Sequence, residues 1–110
     1  IDEQDIFNVT INESLAVALL TNLLKNAFVH NIDGGHIRIT VTKNSITFRN
    51  SGVKNPLDKE HIFERFYQGT KKEGSTGLGL AIADSICRLQ HLSIRYYFEQ
   101  KEHCFEISRQ

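Results

Sequence analysis

The chain has 110 residues, with 13 lysines and arginines balanced by 13 aspartates and glutamates. This length suits one domain with a buried core, so we expect a single domain over residues 1–110. The balanced charge gives no attraction to nucleic acid, which we exclude as a partner. No apolar run approaches the roughly 20 residues of a membrane span. The chain has no Met and opens on Ile1, which predicts a domain of a longer protein.

The first half of the chain predicts one long helix and three strands. Alternating polar and apolar residues predict a strand over 7–11. Asn12 is a candidate N-cap for a helix from Ser14 to about Asn31. The same alternation predicts a strand at 37–41 and another at 46–48, joined by a hairpin turn at 43–45. The apolar stripe of the predicted helix consists of Leu15, Leu19, Leu20, Leu23, Leu24, Ala27 and Phe28.

The second half predicts a short helix over 60–66, a polar loop over 68–75 and a long helix over about 78–90. A final hairpin is predicted from strands at 93–98 and 104–108. These elements predict an α+β fold, a two-layer sandwich with a mixed sheet of about five strands against about three helices. The apolar face of the second long helix is predicted to contain Leu78, Ile82, Ile86 and Leu89.

A glycine-rich turn over 74–79 leads directly into the second long helix. Glycines allow close approach of a ligand to the backbone, and the first turn of a helix presents unpaired N–H groups to an anion. No Gly-Lys-Ser/Thr follows, so the turn is not a Walker A loop. No strand precedes it, which argues against a dinucleotide-binding fingerprint. The turn therefore predicts a phosphate site, with a tight helix start as the alternative.

A polar stripe on the first helix is the second candidate feature. Asn22, Asn26 and His30 are spaced so that they share one face, whereas the residues between them are mostly apolar. A buried amide without a partner costs roughly 1–3 kcal/mol, so this stripe favours a ligand site over a solvated face. Cys87 and Cys104 lack metal-ligand spacing and are expected to be reduced, buried thiols.

Four segments follow one another along the chain, at 22–27, 50–52, 63–66 and 75–80. In sequence and spacing they resemble the N, G1, F and G2 boxes of the catalytic, ATP-binding domain of sensor histidine kinases. These kinases are a branch of the GHKL ATPase and kinase superfamily. The resemblance covers nearly the whole chain. It implies the α/β sandwich called the Bergerat fold, with ATP held between the helical layer and a lid at 68–74.

The resemblance also implies roles for individual residues. Asn26 would offer its amide oxygen to a Mg²⁺ that bridges the ATP phosphates, and His30 would lie near those phosphates. Asn50, followed by Gly52, would accept a hydrogen bond from the adenine amino group. Arg65 would place positive charge near the transferring phosphoryl group or the partner domain, with a surface arginine as the alternative. The phosphate cradle would consist of Thr76, Gly77, Leu78, Gly79 and Leu80.

The chain departs from the family pattern at three positions. Asn50 stands where the family has Asp, so the bond to adenine loses its charge assistance. Lys54 replaces the second glycine of the G1 box, and Val29 stands where a basic residue often helps hold the phosphates. These departures support one alternative function, a nucleotide-binding module that has lost catalysis.

Asn22 decides between hydrolysis and phosphoryl transfer. The hydrolytic members of the superfamily have a Glu at this position, and an amide cannot serve as general base at neutral pH. We therefore expect a protein histidine kinase domain that transfers the γ-phosphoryl group of MgATP to a His outside this chain. An anti-sigma-factor-type serine kinase is a further alternative, but the 63–66 segment fits histidine kinases better.

The resemblance also implies partners and a location. The phosphoryl acceptor would lie on the helical dimerisation domain of the same protein, with a response regulator downstream. The chain itself is expected to be monomeric and its parent a homodimer. The domain would be cytoplasmic, in a parent anchored in the cell membrane.

Overall fold

The computed structural model describes residues 2–3, 11–29, 35–52, 57, 60–64 and 78–110. Within these residues two helices pack on one face of a five-stranded sheet. The elements in chain order are β1 (Asp2–Glu3), α1 (Glu13–Val29), β2 (Ile37–Val41), β3 (Ser45–Asn50), α2 (Gly79–Leu89), β4 (Leu92–Glu99) and β5 (Glu102–Arg109).

The sheet has the strand order β1-β2-β3-β5-β4. Strand β1 runs parallel to β2, whereas the other neighbours are antiparallel. The predicted α+β class and the mixed five-stranded sheet are therefore confirmed. Central β3 pairs with β2 on one side and β5 on the other, which brings Asn50 between Ile37 and His103 at the end of the sheet.

Helix α1 begins where the sequence predicted its cap. The Leu15 N–H donates to Asn12 Oδ1 at 3.2 Å, and the Ala16 N–H donates to the Asn12 carbonyl oxygen at 2.9 Å. An asparagine cap satisfies one of the N–H groups that the first turn leaves without an intrahelical acceptor. Leu19 and Leu23 are buried in the core, whereas Leu20 is 41% exposed. The apolar stripe of α1 is therefore narrower than predicted.

Helix α2 buries a different face from the predicted one. Ala83, Ile86 and Cys87 are buried, whereas Ile82 is 42% exposed and Leu89 is 66% exposed. The helix packs against both α1 and β4, so the residues facing between those two elements become core. Ala83 and Cys87 are small, which lets the three elements approach closely. The prediction of a face formed by Leu78, Ile82, Ile86 and Leu89 is wrong except for Ile86 and the half-buried Leu78.

The two helices are antiparallel. The Asn12 N–H donates to Gln90 Oε1 at 3.3 Å, so the start of α1 lies beside the end of α2. At the other end of α2, Gly79 lies beside Asn22 of α1. This arrangement brings the middle of α1 to the α2 N-terminus.

The two faces of the sheet differ in polarity. The face under the helices carries Phe48, Phe105 and Ile107, all at most 2% exposed. The opposite face carries ion pairs, such as Arg49 with Glu99 at 3.2 Å and Arg95 with Glu106 at 2.7 Å. This alternation is the strand periodicity of two.

Two sequence predictions need correction or fall outside the described residues. The predicted helix over 60–66 is a turn in its described part: the Glu64 N–H donates to the His61 carbonyl oxygen, three residues back, at 2.9 Å. Ile62 is 1% exposed and anchors this turn in the core, a burial that does not need a helix. Of the predicted strand over 7–11, only Ile11 is described, and it is not in a strand. The predicted loop over 68–75 lies outside the described residues.

Cys87 and Cys104 are free and buried, as predicted. No described helix is both long and apolar enough to span a membrane.

Candidate functional site

Asn22 lies against the start of α2. Its Nδ2 donates to the Ala18 carbonyl oxygen at 2.7 Å, so its Oδ1 is the end of the amide that faces other partners. A Cβ placed on Gly79 would lie 3.3 Å from that Oδ1 and 4.0 Å from the Asn22 carbonyl oxygen. The two segments predicted as N and G2 boxes therefore meet, and a glycine permits their close approach.

The N-terminus of α2 has the properties of an anion site. Its first intrahelical hydrogen bond is from the Ile82 N–H to the Leu78 carbonyl oxygen, at 2.9 Å. The N–H groups of Gly79, Leu80 and Ala81 therefore lack an intrahelical acceptor. Leu78 precedes the helix and provides no side-chain cap, and the first turn has no acidic residue. These N–H groups and the positive end of the helix dipole favour a bound phosphate.

Asn26 lies one helical turn beyond Asn22 on α1 and is half-buried. It therefore shares the side of α1 that faces the start of α2. Mg²⁺ prefers oxygen ligands, and a neutral amide oxygen adds no repulsion toward phosphates. The chemistry of Asn26 thus fits a magnesium–nucleotide complex. Among the described residues no group of three His, Cys, Asp or Glu side chains could hold a metal ion.

Asn50 ends β3 and is 3% exposed. It points to the same side of the sheet as Phe48, because side chains alternate along a strand. Its Nδ2 donates to the Ser51 carbonyl oxygen at 2.7 Å. The reverse orientation would put two oxygens at that short distance, so this contact determines the direction of the amide. Asn50 therefore has its oxygen available for a ligand, and the buried Gly52 follows two residues later.

The structure describes seven of the predicted site residues: Asn22, Asn26, Asn50, Gly52, Leu78, Gly79 and Leu80. It brings Asn22 to Gly79, whereas the hydrogen bond described for the Asn50 side chain is to Ser51. His30, Arg65, Thr76 and Gly77 lie outside the described residues, so their roles remain predictions. Sequence reasoning missed the residues that support Asn50, which are Ser51, His36 and Glu102. No local pattern marks them, since Glu102 lies 66 residues from His36.

A groove of about 480 Å³ lies on another side of α2, next to β4. Phe63 and Tyr96 line it together with Asp84 and Arg88. These last two side chains pair with each other at 2.9 Å. The groove's described lining contains none of the predicted site residues, so this concavity is separate from the predicted nucleotide site.

The chain has relatives among named proteins. Residues 11–108 match the family of histidine kinase-, DNA gyrase B- and HSP90-like ATPases. The sensor histidine kinase RppB of Synechocystis is 43% identical over 84 residues, which are 68% of this chain and 18% of RppB. The heme sensor protein HssS of Staphylococcus aureus is 39% identical over 90 residues, which are 77% of this chain and 20% of HssS. The chain thus spans about a fifth of the length of these relatives.

Solved structures agree with these matches. The catalytic domain of histidine kinase ThkA superposes with a TM-score of 0.79 at 26% identity, covering 96% of this chain and 73% of that domain. The mycobacterial sensor histidine kinase MprB has the same fold, with a TM-score of 0.78 at 20% identity over 92% of this chain and 77% of that one. The chain therefore belongs to the histidine kinase-, DNA gyrase B- and HSP90-like ATPase family, as an ATP-binding catalytic domain of the sensor histidine kinase type.

Proposed function

We propose that this domain holds MgATP between α1 and the start of α2 and transfers its γ-phosphoryl group to a histidine on a separate helical dimerisation domain. The observation that carries the proposal is the contact between Asn22 and Gly79. It joins the polar side of α1 to a helix N-terminus whose first N–H groups have no intrahelical acceptor. Phosphates would lie at that N-terminus.

Asn26 would hold the Mg²⁺, because it lies one turn from Asn22 on the same side of α1. The metal would neutralise charge on the phosphates and so assist phosphoryl transfer. Thr76, Gly77 and Leu80 would complete the phosphate cradle. His30 would lie near the phosphates, and Arg65 would supply positive charge at the transferring group.

Asn22 supports transfer rather than hydrolysis. Its Nδ2 is engaged by the Ala18 carbonyl oxygen, and an amide oxygen cannot take a proton from water at neutral pH. The bound ATP would therefore persist until an acceptor is presented. Phosphoryl transfer depends mainly on positioning and charge neutralisation, which this site would supply without a base of its own.

Asn50 would select the base. Its Nδ2 is already bonded to the Ser51 carbonyl oxygen, so Oδ1 would accept a hydrogen bond from the adenine amino group. Guanine presents an oxygen at the corresponding position and would meet a second acceptor. Adenine would be preferred even though the family's aspartate is absent.

The rest of the signalling system is proposed from the relatives. The sensor histidine kinase RppB and the heme sensor protein HssS are each about four times as long as this chain, which favours a sensor kinase over an anti-sigma-factor-type serine kinase. We place the domain, as a monomeric unit, in the cytoplasmic part of a homodimeric sensor anchored in the cell membrane. A response regulator would receive the phosphoryl group.

Calorimetric titration of the chain with ADP tests the proposal, with and without Mg²⁺ and with GDP as the control nucleotide. We expect ADP to bind, Mg²⁺ to strengthen its binding and GDP to bind more weakly. Failure to bind either nucleotide would contradict a nucleotide site. Nucleotide binding without phosphoryl transfer to an added dimerisation domain would favour a binding module, the alternative suggested by Val29, Asn50 and Lys54.

A further inference from the structure

A buried carboxylate lies on the face of the sheet opposite the helices, near the end that carries Asn50. Glu102 begins β5, and its side chain is only 6% exposed. Its Oε2 accepts a hydrogen bond from His36 Nε2 at 2.7 Å, and its Oε1 accepts one from Arg38 Nη2 at 3.1 Å. An ionised carboxylate only accepts, so Nε2 of His36 carries the proton in this contact. Glu102 therefore ties β5 to the residue that precedes β2.

The backbone of His36 in turn holds Ser51. The His36 N–H donates to Ser51 Oγ at 2.8 Å, and the Ser51 N–H donates to the His36 carbonyl oxygen at 3.1 Å. Ser51 Oγ also donates to that carbonyl oxygen, at 3.3 Å. Three hydrogen bonds thus fix the peptide unit that follows Asn50, and Ser51 is itself buried.

The carbonyl oxygen of Ser51 accepts the Nδ2 hydrogen bond of Asn50 at 2.7 Å. The position of Ser51 therefore decides which end of the Asn50 amide is engaged and which end is available. If Ser51 shifted, the amide could rotate and present Nδ2 instead of Oδ1. An amide that presents its donor suits the guanine oxygen rather than the adenine amino group.

We propose that Glu102 is a positioning residue for base selection. Acting through His36 and Ser51, it holds the Asn50 amide with its oxygen toward the base, so that the site takes adenine nucleotides and rejects guanine nucleotides. The inference rests on the proposed function, in which Asn50 reads the base. Its partners His36 and Arg38 have side chains that are 60% and 45% exposed.

The chain offers a matched control for Glu102. Glu106 lies on the same strand and the same face, and it accepts a hydrogen bond from Arg95 Nε at 2.7 Å. It pairs across the sheet with Thr47, whereas the neighbour of Glu102 on β5, His103, pairs with Asn50 itself. The substitutions Glu102→Gln and Glu106→Gln each neutralise one carboxylate while keeping its size. Glu102 bonds His36, whose backbone bonds Ser51, whereas Glu106 bonds Arg95.

The test measures Kd for ADP and GDP, and the thermal unfolding midpoint, in the parent and both variants. We expect Glu102→Gln to weaken ADP binding about three- to tenfold, the effect of one compromised hydrogen bond. GDP binding should stay the same or strengthen, so the ADP preference falls. Glu106→Gln should keep the parent's preference. An unchanged preference in Glu102→Gln, with ADP still bound by the parent, would overturn the inference but leave the proposed function standing. A parent that binds no nucleotide would overturn both.

A second variant tests the orientation of the Asn50 amide in the absence of nucleotide. Ser51→Ala removes the hydroxyl that bonds the His36 backbone on both sides. The two Nδ2 protons of Asn50 should give separate, slowly exchanging NMR signals in the parent. In Ser51→Ala and Glu102→Gln we expect these signals to shift toward each other and exchange faster, whereas Glu106→Gln should match the parent. Identical Asn50 signals in all four proteins would overturn the positioning role.

Discussion

Two asparagine side chains in this domain have their donors engaged by nearby carbonyl oxygens. Asn22 donates to Ala18 at 2.7 Å, and Asn50 donates to Ser51 at 2.7 Å. Each amide therefore presents an oxygen toward the proposed nucleotide site. Each amide thus has one donor occupied and its oxygen open to a ligand's donor. At the residue scale, the neighbouring backbone thus determines what these amides can recognise.

Replacing Asn26 with Asp tests the magnesium role. The carboxylate adds a negative charge beside the phosphates, and we expect MgADP to bind about tenfold more weakly. Thr21→Asp is the matched control, because Thr21 is exposed on the same helix and its substitution adds the same charge away from the site. Calorimetry of both variants checks this. Equal MgADP affinity in Asn26→Asp and Thr21→Asp would contradict the metal assignment.

The buried thiol of Cys87 should make the folded domain less stable at alkaline pH. Burial, with a smaller contribution from Asp84, raises the pKa of its thiol to about 11, from an ordinary value of 9.0. Between these values the unfolded chain loses the proton that the folded chain retains, so the free energy of unfolding falls as pH rises. Below pH 9 both states keep the proton, and the thiol adds no pH dependence.

Urea unfolding of the parent and of Cys87→Ala at several pH values from about 8 to 11 measures this effect. We expect the difference between the two proteins to shrink as pH rises through that window, because only the parent pays the ionisation penalty. A constant difference across the window would contradict a raised pKa for this thiol.

At the scale of elements, the close contact between α1 and α2 occurs at Gly79, which has no side chain. A Cβ at Gly79 would lie 3.3 Å from Asn22 Oδ1. Asn22 has little freedom to move away, since its Nδ2 is bonded to Ala18. A side chain at this position would therefore crowd Asn22, and the glycine at the start of α2 avoids that crowding.

Gly79→Ala should consequently fail to give the usual gain of roughly 0.5–1 kcal/mol for replacing a helical glycine. We expect it to lower the unfolding free energy instead. In an Asn22→Ala background the crowding is gone, and the same Gly79→Ala substitution should stabilise the domain. A double-mutant cycle by urea unfolding measures the coupling. Additive effects would mean that the two residues are not in contact.

The two-residue turn between β4 and β5 is occupied by residues that disfavour its conformation. Gln100 and Lys101 connect these strands with φ values of 52° and 64°, a conformation that favours glycine or asparagine. Lys101→Gly should therefore raise the unfolding free energy by about 0.5–1 kcal/mol, because relief of the left-handed strain exceeds the added entropy cost of ordering glycine. Lys43→Gly is the control, because the described residues with positive φ do not include Lys43. That control should lower stability, and thermal unfolding compares the two. Equal effects would contradict the strained turn.

At the scale of the whole molecule, the fold separates two tasks. One side of the sheet carries the two helices and the proposed nucleotide site, whereas the opposite side is a network of ion pairs that includes Arg49, Arg95 and Glu102. The Glu102 contacts link the two sides at the end of β3. The domain thus combines a binding layer with a supporting layer, and we propose that the acceptor histidine comes from elsewhere.

This division predicts that the chain alone binds ATP without phosphorylating itself. Asn22 supplies no base to activate water, so hydrolysis should also be slow. Adding the dimerisation domain of the parent protein should produce an acid-labile, alkali-stable phosphohistidine on that added domain. Radiolabelled ATP measures both self-phosphorylation of the chain and transfer to the added domain. Label on the chain alone would contradict the acceptor assignment, and no label on the added domain would favour a pure binding module.

The sequence by itself determined the order and type of the long elements. Asn12 capped α1 as predicted, and alternation located β2 to β5, because caps and periodicity act over a few residues. The two-residue β1 was not predicted. The four box-like segments also identified the family correctly. The proposed roles of Asn26 and Asn50 came from those segments and remain to be tested.

Only the tertiary structure decided which face of α2 is buried and which way the Asn50 amide points. Ala83 and Cys87 are buried in place of Ile82 and Leu89, because α2 packs between α1 and β4 rather than on the side with the largest apolar residues. The direction of the Asn50 amide depends on Ser51, and Ser51 depends in turn on a carboxylate far along the chain. Such contacts join residues that no local pattern relates, so they exist only once the strands have paired.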